Sequence, residues 1–211
     1  MSFLVDHAAQ EIALRRWALP HCLHVPIAAV DERAITTYIG DIERVLADGS
    51  PPKALLVKIK EPPSIDPRLP IWDLEASRVF YSLRQVWVHV AYTRYRHAYL
   101  KAFPAEPIDG KVLSHAMNRR VAALKGLSYV RITLASRRCN SSSAFSENWA
   151  VALHSAPEQT SANRKRGVFI QYADLTDLML MLDLKIAGGV MAAVNESQEL
   201  VRPPPAQHGA P

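Results

Sequence analysis

The chain has 211 residues, 49% hydrophobic and 21% charged, a globular composition that can offset the entropy of folding. This length fits one domain with a sizeable core, and no run reaches the roughly 20 uninterrupted apolar residues of a membrane span. Asp6 and Glu11 interrupt the pattern of a secretory signal, and two distant cysteines, Cys22 and Cys139, make no disulfide framework, so a cytoplasmic setting is expected.

Residues 6–18 carry helical spacing. Residues 21–30 are β-like, with Pro26 placing them at a sheet edge. Residues 31–47 read as a helix with Asp31 as its N-cap and Gly49 as its stop, and 54–60 as a strand. The proline-rich stretch 61–70 is extended and is a possible break between subdomains.

From Trp72 to Leu100 there is no glycine or proline, and Val79, Phe80, Leu83, Val86, Trp87 and Val90 recur at three- and four-residue steps. That spacing predicts a long central helix with Phe80 and Trp87 on its buried stripe. A further helix is predicted over 111–125, stopped by Gly126. Residues 128–136 and 148–155 read as paired antiparallel strands joined by a polar loop, and 167–172 as a third strand. A last helix, capped by Asp174, has the stripe Leu175, Leu178, Met179, Leu182 and Ile186. The expected fold is α+β: one domain over 1–200, with an antiparallel sheet in its C-terminal half packed against the long helix and several shorter ones. The proline-rich tail 201–211 is expected to be disordered.

The phosphate-loop, dinucleotide, zinc-protease, nucleophile-elbow and paired-cysteine motifs are absent, so no cofactor and no metal are expected. His21, Cys22 and His24 form the one compact group of soft ligands, but nothing in the spacing supplies a fourth. Cys139 follows Arg137 and Arg138, which would favour its thiolate, but a loop cysteine without a role is the preferred account. Tyr92, Tyr95 and Tyr99 fall on one predicted helical face among Arg94 and Arg96, where they could stack on bases or simply line the core margin.

Charge is the most informative signal. The formal net is +5, yet residues 111–166 alone hold 10 Lys/Arg against Glu147 and Glu158, a net of +8. Such asymmetry points to an anionic partner, with a basic surface that serves only solubility as the simpler alternative. Arg119, Arg120 and Lys125 fall on the predicted short helix, and Arg131 in the first hairpin strand. Arg137 and Arg138 open the hairpin loop, and Arg164, Lys165 and Arg166 form the next turn. Loop positions face solvent by default, and the arginine fork suits phosphate. The resulting expectation is a non-enzymatic protein associated with RNA or DNA, an accessory subunit of a larger assembly, with homo- or hetero-oligomers open and no membrane partner. A second reading is a hydrolase or nuclease built on His115, Glu147 and His154 as a general acid–base set. A third is an interaction subunit that binds an acidic protein.

Overall fold

A computed structural model describes residues 25–59, 84–106, 108, 110–142, 144–159, 168–173 and 177, without the side chains of 138, 139, 142, 144–147 and 149. All of these fall in the compact unit Val25–Asp183. The elements in chain order are β1 (Pro26–Ala29), α1 (Glu32–Tyr38), β2 (Gly40–Ala47), β3 (Ala54–Ile59), β4 (Arg84–His89), α2 (Tyr95–Ala102), β5 (Lys111–His115), α3 (Arg119–Leu124), β6 (Tyr129–Ser136), α4 (Arg137–Ser142), α5 (Ala144–Ser155) and β7 (Ile170–Tyr172).

The seven strands form one curled antiparallel sheet, a half-barrel, in the order β2-β3-β4-β6-β1-β7, with β5 also paired to β6. Strand β6 organises it. Val130 stands between Val88 of β4 and Ala28 of β1, whereas Ile132 stands between Val86 of β4 and His115 of β5. A strand has two edges, so β1 and β5 share the edge of β6 that faces away from β4, and the sheet forks between them. Pro26 lies at this fork. It opens β1 rather than marking a sheet edge, and the register shifts between Pro26 and Ala28 where the ladder lacks its N–H.

Both faces of the sheet are covered. Leu56, Val86, Val88, Val130 and Ile132 form one face, with Ala98 and Tyr99 of α2 and Ala122 of α3 in the same cluster. Leu55, Val57, Trp87 and Tyr129 form the other, under Ala34 and Ile35 of α1. Full burial of each large apolar side chain contributes roughly 1.5–3 kcal/mol, so this two-sided packing is the main favourable term.

This architecture overturns the expected long central helix. Arg84–His89 is a central strand, and α2 is a helix of eight residues. The strand ends in a turn in which the Ala91 N–H donates to His89 Nδ1 at 3.2 Å and the Tyr92 N–H donates to the His89 carbonyl at 2.8 Å. The physical reason is the cover on both faces: Gln85, Val86, Trp87 and Val88 are all buried in succession, and a strand without alternation is indistinguishable from a helix by period. Trp87 is fully buried, as expected, but within a sheet; Phe80 lies outside the described residues.

Three further elements are corrected. The helix expected over 31–47 ends at Tyr38, and Gly40 opens β2, where any Cβ would collide with the Lys58 carbonyl of β3. The helix expected over 111–125 is strand β5 followed by α3, with Asn118 capping α3 through the N–H groups of Arg120 and Val121. The strand expected at 148–155 belongs to helix α5, so no hairpin joins it to β6. Ser155 Oγ donates to the Val151 carbonyl at 2.7 Å, a helical i−4 bond. The sheet therefore spans the whole described chain rather than its C-terminal half.

Asp31 does cap α1, accepting from the Ala34 N–H at 2.7 Å, and Gly126 follows α3 with φ +79°. The expected helices at 6–18 and 175–186, the stretch 61–70 and the tail 201–211 lie outside the described residues, Asp177 excepted. Among the described residues no helix is long and apolar enough to cross a membrane.

Candidate functional site

The basic segment is organised by β5. Its register against β6 runs from Lys111↔Ser136 to His115↔Ile132, so Arg137, the next residue of β6's chain, follows the partner of Lys111 at one end. Arg119 and Arg120 begin α3 just past the other end. Four steps of roughly 3.3 Å separate Lys111 from His115, so cations flank a ribbon about 13 Å long. Lys111, Arg120 and Arg137 are exposed and Arg119 is half-buried. None of these four side chains makes a hydrogen bond or an ion pair among the described residues. The expected position of Arg137 in an open loop is corrected, since it starts α4, but it remains at the surface.

The other basic candidates separate from this ribbon. Arg131 is only 3% exposed inside β6, where it cannot meet a macromolecule, and its charge is felt by the Tyr99 hydroxyl. Lys125 caps the end of α3 and its Nζ donates to Gln171 Oε1 of β7. The side chain of Arg138 and all of Arg164, Lys165 and Arg166 lie outside the described residues.

His115 packs its ring on Tyr95 with centroids 4.4 Å apart, and its Nε2 is buried without a hydrogen-bond partner among the described residues. Burial, assisted by the nearby Arg119 charge, pushes its pKa down to about 4, so at neutral pH it is an uncharged imidazole. That setting does not poise it near working pH as a general acid. His154 lies in the last turn of α5, and Glu147, whose side chain is not described, lies on the same helix.

The tyrosines line the core margin, as the simpler of their two readings expects, but they do not share one helical face. Tyr92 precedes α2, Tyr92 and Tyr95 pack against the core, and Tyr99 is buried with its hydroxyl donating to Glu106 Oε2 at 2.7 Å. Among the described residues no group of three or more His, Cys, Asp or Glu side chains is placed to hold a metal, and His21, Cys22 and His24 lie outside them.

Comparison of the chain with protein-family models, curated proteins and solved structures finds no match to any of them. The site must be read from its own residues. Two features escaped sequence reasoning. One is a buried polar group: Gln85 of β4, Thr133 and Arg131 of β6, and Ser114 of β5, the last paired in register with Thr133. Gln85 Oε1 accepts from Trp87 Nε1 at 3.1 Å, while Gln85 Nε2 and Thr133 Oγ1 have no partner among the described residues. The other is a set of exposed rings, Tyr38 at 59% and Phe169 at 60%, with Tyr172 beside them at 38%. The only local sign of the second was Phe169 next to the buried Ile170, an alternation too short to read from sequence.

Proposed function

We propose that this chain is a non-enzymatic nucleic-acid-associated protein, an accessory subunit of a larger assembly, that holds a phosphate backbone along β5. The observation that supports the reading is the placement of Lys111 and Arg137 at one end of β5 and Arg119 and Arg120 past the other, without anionic partners among the described residues. Cations that fold into no internal ion pair keep their charge for a partner, and three arginines of the four suit phosphate geometry. A ribbon of about 13 Å is long enough to meet a few phosphates, which one strand of a duplex spaces at roughly 3.4 Å along its axis and an extended strand spaces more widely.

Each neutralised phosphate releases counterions, so affinity falls as salt rises, with a log–log slope of about −0.7 to −0.9 per contact. The paired variants Lys111→Ala/Arg137→Ala and Arg119→Ala/Arg120→Ala each flatten the slope by up to about two units and leave stability nearly unchanged. Fluorescence anisotropy with a labelled oligonucleotide at several salt concentrations measures this. No binding at low salt, or a slope indifferent to both pairs, removes the reading; a protein complex that survives nuclease treatment and depends on the same residues replaces it with an acidic protein partner.

A further inference from the structure

Three large rings are left at the surface where α1 ends and β7 begins. Tyr38, the last residue of α1, lies with its ring centroid 6.3 Å from that of Phe169 at 33°. Phe169 is held by its backbone, whose carbonyl accepts from the Val30 N–H at 2.9 Å. Tyr172 closes β7, with Tyr38 near enough to help burial raise the pKa of its hydroxyl. Exposing this much aromatic surface is unfavourable unless something covers it.

The position of the rings bears on what that is. β7 is the last strand of the sheet beyond β1, and β1 and β5 occupy the same edge of β6. The aromatic cluster and the basic ends of β5 therefore lie toward one side of the sheet. Lys125 brings a cation to the middle of β7 through its bond to Gln171. A second copy of the chain would bring the same cations against themselves, which disfavours self-association at this surface. A polyanion with exposed π-faces meets both features at once.

We propose that Tyr38, Phe169 and Tyr172 form a stacking platform for unpaired bases, so that the ligand is single-stranded nucleic acid. This rests on the nucleic-acid reading above and adds the strand state. Every base has a π-face, so the platform is tolerant of sequence, while a duplex keeps its bases stacked and offers it only backbone.

The test compares a labelled oligothymidylate with a duplex of the same length, using the full chain and Tyr38→Ala/Phe169→Ala. Loss of stacking weakens single-strand binding by roughly 5- to 150-fold per base lost, with duplex affinity and the salt slope unchanged. Phe169→Trp, which keeps the ring, retains affinity and has its indole fluorescence quenched on binding, which separates lost stacking from misfolding. Equal loss on both ligands, no loss on either, or a concentration-dependent dimer in sedimentation that the double substitution dissolves overturns the platform. If the salt slope still responds to Arg119→Ala/Arg120→Ala, the platform alone falls; if the unaltered chain binds neither ligand, both readings fall.

Discussion

The Tyr129 hydroxyl donates to Glu32 Oε1 at 2.6 Å, tying the start of β6 to the first turn of a helix 97 residues earlier in the chain. The same hydroxyl faces the Pro52 carbonyl in the connection from β2 to β3, and His89 of β4 meets the ring edge-on at 5.6 Å. Three parts of the chain thus converge on one buried tyrosine. Because a hydrogen bond to a charged group contributes about 1.5–3 kcal/mol, Tyr129→Phe is expected to lower stability by that amount. Urea unfolding checks it, with an unchanged m-value showing that the fold is retained.

Tyr129 and Tyr99 also set the alkaline limit. Burial foremost, and then the carboxylates of Glu32 and Glu106 respectively, push both phenols well above their ordinary pKa of 10. A raised folded pKa contributes stability that is complete below 10 and is lost as pH rises beyond it, since only the unfolded chain then releases the protons. The melting temperature is expected to fall between pH 9.5 and 11, at up to about 1.4 kcal/mol of stability per pH unit for each tyrosine. In Tyr99→Phe/Tyr129→Phe that dependence flattens, and an equally steep fall in the double variant refutes the assignment.

His115 acts in the opposite direction. Its pKa of about 4 lies below the ordinary 6.5, so its contribution is complete above 6.5 and disappears as pH falls toward 4. Imidazole chemical shifts are expected to show a neutral ring at pH 6. In Arg119→Ala the midpoint should rise yet stay below 6.5, because burial is the larger cause. A midpoint at or above 6.5 in the unaltered protein would mean that the ring is not buried against Tyr95.

Thr133 Oγ1 is desolvated without a partner among the described residues, and such a group costs about 1–3 kcal/mol. Thr133→Val keeps the branched shape and removes the hydroxyl, so unfolding free energy should rise by about 1 kcal/mol. Gln85→Ala is the contrasting variant: it takes the acceptor from Trp87 Nε1 and opens space in the core, and is expected to destabilise. Thermal unfolding of the two variants, moving in opposite directions, distinguishes an idle hydroxyl from a working amide.

Local chemistry was legible wherever a short stretch determines its own conformation. Asp31 caps α1, Gly126 takes a left-handed turn after α3, and the apolar stretch Ala54–Ile59 is a strand, all as their residue types predict. The segregation of positive charge into 111–166 is likewise a property of sequence alone. What only the tertiary structure decided is which faces are covered and which strands pair. Val86, Trp87 and Val88 sit between two packed faces, so they lack the period of two that would have distinguished them from a helix. Lys111–His115 is a strand because β6 is there to pair with it, and Ala144–Ser155 is a helix that contacts α3 and α4 rather than pairing with β6. Arg131, expected at a partner's surface, is enclosed, and Tyr38 meets Phe169 although most of the described chain separates them. Pairing and burial are non-local: they depend on residues distant in sequence, and no window of neighbouring residues carries that information.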